Sequence, residues 1–106
     1  MFVPSTSKDH YREFRTALRG RDFWAAKKAA KALPGLLSLL DALELTLLAA
    51  ETGAHKEFDD FAARWVARIA VEKEMPLSRM AEAVGTFQAV GQGKVDDAFR
   101  KLASYV

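Results

Sequence analysis

The 106-residue sequence contains no cysteine, and this absence limits the chemistry that the protein can perform. Disulfide bonds, thiolate nucleophiles and zinc sites with sulfur ligands are all excluded. A chain without cysteine fits a reducing compartment. Residues 1–7 also lack the basic region and the long apolar region of a secretory signal peptide. The predicted location is therefore the cytoplasm.

Residues that favour β-strands are scarce. The sequence has 19 alanines and 12 leucines but only 7 valines and 1 isoleucine. Alanine and leucine lead the helix-propensity ranking, whereas β-branched residues favour strands. No segment alternates apolar and polar residues for long enough to predict a half-buried strand. The sequence therefore predicts an all-α protein.

Long hydrophobic runs are also missing. The longest one, residues 36–50, is about 15 residues long and is interrupted by Asp41 and Glu44. A membrane-spanning helix needs about 20 consecutive apolar residues. We therefore expect no membrane partner.

Turn and capping residues divide the chain into a flexible lead-in, residues 1–7, and a single all-helical domain, residues 8–106. Ser7, Asp22 and Ser38 precede helical patterns and are predicted N-caps. Gly20 is expected to end the first helix in the manner of a left-handed C′ glycine. Gly53 is expected to close the third helix, and a further turn is expected at residues 91–93. The predicted helices cover about residues 8–19, 22–33, 38–52, 55–74, 78–90 and 94–105.

The apolar residues predict how these helices pack. Four helices carry one narrow apolar stripe each, whereas leucines surround the third helix almost completely, which is typical of a central helix. We expect a compact bundle of five or six short helices, arranged as about three hairpins around this helix. The turn spacing invites comparison with tetratricopeptide-type helix pairs, but the pattern of that repeat is not met and no family is identified. The stripes are Tyr11, Phe14 and Leu18; Phe58, Phe61, Ala62, Trp65 and Ile69; Met80, Val84 and Phe87; and Val95, Phe99 and Leu102.

The sequence offers no catalytic constellation. His10 and His55 lie 45 residues apart, and neither belongs to a metal-binding motif. The acidic pairs at residues 59–60 and 96–97 lie in predicted first helical turns, where the helix dipole alone explains them. We therefore predict no catalytic residue, metal, cofactor or small-molecule substrate. A small helical enzyme with no identifiable site remains an alternative.

Charge is distributed unevenly along the chain. Residues 8–31 carry eight basic and three acidic side chains, a net charge of +5, whereas residues 32–75 have a net charge of −4. The overall net charge is only +2. The low total therefore hides a basic segment and an acidic one.

The basic segment predicts a binding surface. On the first helix, Lys8, Arg12, Arg15 and Arg19 follow a spacing that places them within a band about 60° wide. On the second helix, Trp24 shares a face with Lys27, Lys28 and Lys31, opposite an alanine-rich face that is expected to be buried. The buried face is Ala26, Ala29, Ala30 and Leu33.

A tryptophan surrounded by lysines on an outer face is typical of interaction surfaces. The predicted function is a non-catalytic interaction module that binds a protein partner, or itself as a homo-oligomer, through these eight residues. Self-association would use the acidic region of residues 51–60 in another copy. One alternative is a nucleic-acid-binding accessory protein that uses the same surface. Another is purely structural, with Trp24 folded over a neighbouring helix and the lysine stems laid along it.

Overall fold

The computed structural model describes residues 7–90 and 95–106, except for the side chains of Ser7 and Lys8. Within these ranges the chain forms six α-helices and no strand, which confirms the predicted all-α class. None of the six described helices is long and apolar enough to cross a membrane. The helices are α1 (Ser7–Arg19), α2 (Phe23–Lys31), α3 (Leu39–Thr52), α4 (His55–Glu72), α5 (Leu77–Val90) and α6 (Val95–Ala103).

The helices form two compact units. Helices α1 and α2 pack as a hairpin in the first unit, Met1–Leu37. The second unit, Ser38–Val106, contains the hairpins α3–α4 and α5–α6, and further contacts join α4 to α5 and α3 to α6. The three predicted hairpins are therefore confirmed, and the second unit is a four-helix arrangement in which each helix packs against two neighbours. The single domain expected over residues 8–106 remains a prediction.

Two predicted N-caps are confirmed. The Asp22 carboxylate accepts a hydrogen bond of 3.1 Å from the backbone N–H of Ala25, and the Ser38 hydroxyl accepts one of 3.1 Å from that of Asp41. Each satisfies one of the free amides at a helix start. Ser7 was expected to cap α1 but is its first residue. The rest of the predicted lead-in and the turn at residues 91–93 lie outside the described residues.

The predicted end of α1 needs a correction. Gly20 does not adopt a positive φ; Arg21 does, with φ of 56°. The N–H of Asp22 then bonds to the Ala17 carbonyl at 2.9 Å, which closes the helix in a Schellman motif. The motif needs its left-handed residue two positions after Arg19, the last helical residue, so arginine takes the position expected for the glycine.

Helix α4 ends in the same way. It stops at Glu72, two residues earlier than predicted, and Glu74 adopts a left-handed φ of 47°. The N–H of Met75 bonds to the Ala70 carbonyl at 3.1 Å. Pro76 disfavours helix at Met75, as predicted, and the chain turns before it reaches that residue.

Trp65 lies at the centre of the core of the second unit. It is 1% exposed, as its position on the predicted stripe of α4 requires, and its ring meets the edge of the Phe87 ring at 5.7 Å. Its indole N–H donates a hydrogen bond of 2.7 Å to the backbone carbonyl of Leu39 at the start of α3. A buried donor that lacked a partner would cost about 1–3 kcal/mol. Around Trp65 lie Leu43, Leu47, Ala62, Val66, Ile69, Ala83, Val90, Ala98 and Leu102.

Helix α3 is buried on most of its circumference, as its leucines predict. Within the second unit it packs against α4 and α6, two neighbours like the other helices there, so its central position among the three hairpins stays a prediction. Eight of its residues are buried, including five leucines. Leu40 in its first turn is the exception, at 43% exposed. The buried Thr46 donates its hydroxyl proton to the Ala42 carbonyl at 2.7 Å, so this polar group is satisfied within the helix.

Two residues of the predicted stripes are exposed. On α5 the buried face consists of Ala83, Phe87 and Val90, whereas Val84 is 41% exposed. Val84 follows Ala83 by one residue and so lies about 100° away from it around the helix axis. On α1 Tyr11 is 44% exposed, and its ring centroid lies 6.2 Å from that of the buried Phe14, with the two rings tilted by 35°.

The C-terminus is attached to α5 by a polar contact. The Tyr105 hydroxyl donates a hydrogen bond of 3.1 Å to the Glu82 carboxylate, and the Arg79 guanidinium lies 5.9 Å from the centre of the tyrosine ring. Partial burial, this hydrogen bond and the charge of Glu82 raise the pKa of Tyr105, against a smaller opposite effect of Arg79. The contact therefore favours the neutral phenol.

Substitutions of Trp65 test this core. We expect Trp65→Ala to lower the free energy of unfolding by about 3–5 kcal/mol, because it empties the centre of the core. Trp65→Phe retains a ring but loses the hydrogen bond to Leu39, and we expect a smaller loss of about 1–2 kcal/mol. Urea titrations measure both values. A loss below about 1 kcal/mol for Trp65→Ala would contradict the buried position of α4.

The two helix-ending glycines provide a second test. Gly53 has a φ of 86°, so we expect Gly53→Ala to cost about 1 kcal/mol through backbone strain alone, since an added Cβ meets nothing within 4 Å. Gly20 has no positive φ, and its added Cβ would lie at an ordinary 3.5 Å from the Thr16 carbonyl oxygen. Gly20→Ala is therefore the control, and it should leave the urea midpoint unchanged or slightly raised. Equal losses in the two variants would refute the conformational difference.

Candidate interaction surface on the second helix

The predicted binding surface depends on how α2 is rotated. The helix has nine residues, and Phe23, Ala26 and Ala29 form its buried side. Successive residues differ by about 100° around the axis, so Trp24 points away from that side. Its side chain is 55% exposed. As predicted, Trp24 lies on the exposed side opposite the alanines. Of the predicted buried face, Ala26 and Ala29 are buried, whereas Ala30 and Leu33 are half-buried.

Trp24 has a defined position although it is exposed. Its ring meets the edge of the Phe23 ring at 5.0 Å, with an angle of 73° between the planes. Phe23 is only 1% exposed and is therefore a fixed neighbour. The Nζ atom of Lys27 lies 5.5 Å from the centre of the Trp24 ring, a cation–π contact worth about 0.5–1 kcal/mol at an exposed site.

The remaining lysines of this surface are solvent-accessible. Lys28 and Lys31 are exposed and lie in the last turn of α2, where positive charge complements the helix dipole. Lys27 is half-buried beside the indole. We call Trp24, Lys27, Lys28 and Lys31 the Trp24 surface. It presents one aromatic ring with cations on the same side of one short helix.

The predicted basic band lies on α1. Arg12 and Arg19 are exposed and Arg15 is half-buried, about one helical turn from each neighbour. The side chain of Lys8 lies outside the described residues. Both helices belong to the first unit and pack against each other, so the two basic sets occur on one hairpin. The contact between Trp24 and Lys27 links two of the predicted site residues directly.

Phe23, the buried residue whose ring contacts Trp24, was not among the predicted site residues. A signal for it exists, because Phe23 precedes Ala26 by three residues and therefore shares the buried face of α2. The adjacent aromatic residues Phe23 and Trp24 thus have different roles. Phe23 is buried, and Trp24 lies next to it on the surface.

In the part of the chain that the structure describes, no group of three or more His, Asp or Glu side chains is placed to hold a metal ion. His10 is half-buried, with its Nδ1 atom 3.8 Å from a Glu13 carboxylate oxygen, and His55 is exposed on α4. The two histidines therefore belong to different units.

Comparison with known proteins identifies no relative for this chain. No protein-family model, no curated protein and no solved structure matches it. Its function has to be inferred from its own residues.

The adjacent aromatic residues of α2 allow a matched test of exposure. We expect Trp24→Ala to lower the free energy of unfolding by about 1 kcal/mol or less, because the ring is more than half exposed and loses mainly its edge contact with Phe23. Phe23→Ala, the control, should cost about 3–5 kcal/mol because that ring is fully buried. Urea titrations of the two variants give the comparison. A loss of several kcal/mol for Trp24→Ala would assign the tryptophan to the core.

Proposed function

We propose that this protein is a non-catalytic interaction module that binds an acidic surface of a protein partner through the Trp24 surface. The observation that carries the proposal is the indole of Trp24, 55% exposed and in contact with a lysine ammonium group. Tryptophan is among the residues that contribute most to binding energy in protein interfaces.

The position of the Trp24 ring favours binding. Ordering a flexible side chain on association costs about 0.5–1.5 kcal/mol. The contacts with Phe23 and Lys27 already restrict the ring in the unbound protein. Less conformational entropy is then lost when a partner covers the ring.

The charges indicate the chemistry of the partner. Lys28 and Lys31 on α2 and Arg12 and Arg19 on α1 are all exposed. An acidic surface beside an apolar pocket would pair with these cations and accommodate the indole ring. Charge pairs at the rim of an interface mainly raise the association rate and select the partner, whereas the buried aromatic residue supplies most of the affinity.

The most exposed apolar side chains of the described residues lack this combination. Leu36, Val71 and Leu77 are 78–84% exposed. Single exposed aliphatic residues are normal on protein surfaces. Trp24 differs from them because it is aromatic, partly ordered and flanked by lysines.

The proposal is tested by identifying partners that depend on Trp24. The immobilised protein is incubated with a cell extract at about 50 mM salt, and the proteins that it retains are compared with those retained by Trp24→Ala and by the double variant Lys28→Glu, Lys31→Glu. A partner that uses the Trp24 surface is lost from both. With the purified partner, we expect Trp24→Ala to weaken binding by about 30-fold or more, which corresponds to about 2 kcal/mol.

Matched controls are available on the same chain. Leu36→Ala removes an exposed apolar residue of the first unit, and Lys56→Glu reverses an exposed lysine of α4. Neither variant should change the retained partners. If every retained protein also binds the Trp24→Ala variant, the proposed function is wrong.

The same variants separate a protein partner from nucleic acid. If the cations bind phosphates, four to six contacts would give a log–log salt slope of about −3 to −5 for any duplex or single strand. We expect no such binding at about 50 mM salt and micromolar protein, because the net charge of the whole chain is only +2. Steep salt-dependent binding that Lys28→Glu with Lys31→Glu abolishes would replace the protein-partner proposal with the nucleic-acid alternative.

A further inference from the structure

The second unit contains a large solvent-open groove with an apolar floor. Its volume is about 1040 Å³, at the upper end of the range for ligand pockets. The C-terminal end of α3, the first half of α4, the second half of α5 and the start of α6 form its walls. The groove is distinct from the Trp24 surface, because its described lining residues lie in the second unit and Trp24 lies in the first.

The floor of the groove is a continuation of the core. The Phe58 and Phe87 rings meet edge to face at 6.1 Å, and Phe87 in turn contacts Trp65 at 5.7 Å. Ala62 and Val66 complete the floor. Val84, 41% exposed, lies on its α5 side, so an apolar side chain faces the open space at an accessible position. Such a floor is suited to a planar aromatic ring.

The rim of the groove is acidic. Glu51 at the end of α3 and Asp59 on α4 are exposed residues of its lining, and His55 lies one helical turn before Asp59. These carboxylates favour a cationic occupant over an anionic one.

The protein itself carries the complementary surface. The Trp24 surface offers one exposed indole ring with lysines beside it, and the groove offers an aromatic floor with carboxylates beside it. The basic segment, residues 8–31, has a net charge of +5, and the segment that contains the acidic rim, residues 32–75, has a net charge of −4. The Trp24 surface and the groove are thus complementary in charge, and both offer apolar aromatic rings.

We infer that the groove of one copy binds the Trp24 surface of a second copy. The Trp24 ring lies on the floor formed by Phe58 and Phe87, and the lysine ammonium groups pair with Glu51 and Asp59. This inference rests on the proposed function and names its partner. It also assigns a receptor site to the groove.

The resulting contact is heterologous, because two different surfaces meet. Each bound copy still has one unused Trp24 surface or one unused groove, so assembly continues until it closes into a ring or forms an open chain. One indole ring and a few lysines bury less than the roughly 1000 Å² of a stable interface, so the association is weak and reversible. The average mass should therefore rise with concentration and fall with added salt.

Two blocked variants test the geometry by sedimentation velocity. Trp24→Ala removes the inserted ring but leaves the groove intact. Val84→Glu places a carboxylate at the groove and leaves the Trp24 surface intact. We expect each variant alone to be monomeric at about 200 µM and about 50 mM salt, where the unmodified protein assembles. An equimolar mixture of the two should form a 1:1 dimer and nothing larger, because only one productive contact remains.

Matched substitutions outside the contact serve as controls. Val71 is an exposed valine of α4 outside the groove lining, so Val71→Glu should assemble like the unmodified protein. Leu36→Ala is the corresponding control for Trp24→Ala. If Val84→Glu melts at a lower temperature than the unmodified protein, Asp59→Lys replaces it as the variant with a blocked groove.

The possible results distinguish a failure of the second-copy inference from a failure of the proposed function. An unmodified protein that stays monomeric at about 200 µM overturns the second-copy inference, while a partner that depends on Trp24 would still support the proposed function. A second result would be assembly that is abolished by Trp24→Ala but unaffected by Val84→Glu and Asp59→Lys. In that case Trp24 contacts another surface, and the groove is not its receptor. Assembly that does not depend on Trp24 contradicts the inference and removes self-association as support for the proposed function.

Discussion

The core of the second unit is organised around Trp65, which is 1% exposed and whose indole N–H donates a buried hydrogen bond of 2.7 Å to the backbone carbonyl of Leu39. Tryptophan brings a large apolar surface into a core but also one polar group that needs a partner. Here the partner lies at the first residue of α3, which is 26 positions earlier in the sequence. The bond connects the start of α3 with the middle of α4, and the Trp65 ring in turn contacts Phe87, which contacts Phe58.

This aromatic series connects the core of the second unit with its surface. Trp65 is fully buried, Phe87 is nearly so, and Phe58 is half-buried at the groove. Packing against Trp65 and Phe87 restricts the rings that form the groove floor. A preformed apolar site loses little conformational entropy when a ligand binds. The residues that stabilise the unit also shape the site that we propose for a second copy.

The two tryptophans of the chain show how one residue type serves two purposes. Trp65 has its polar atom bonded and its ring enclosed, whereas Trp24 keeps more than half of its surface in solvent. The difference originates in the neighbouring residues of each helix. Trp65 follows the apolar stripe of α4, while Trp24 lies opposite the alanines of α2 and on the side of the lysines.

The sequence by itself determined the features that depend on local periodicity and local hydrogen bonds. These are the six helices, the caps at Asp22 and Ser38, the burial of Trp65 and the exposure of Trp24. Each follows from residues within one or two helical turns, where spacing and side-chain chemistry are sufficient. Charge segregation was likewise visible in the sequence.

The tertiary structure decided the features that need residues from different helices. The groove combines side chains from four helices, and the exposure of Val84 depends on which of two neighbouring faces α5 turns inward. The left-handed conformations of Arg21 and Glu74 could not be predicted from the sequence either, because they are set by the hydrogen bonds that close the helices and not by the preferences of these residues. Periodicity defines the faces of a helix. Packing against neighbouring helices decides which face turns inward and at which residue the helix ends.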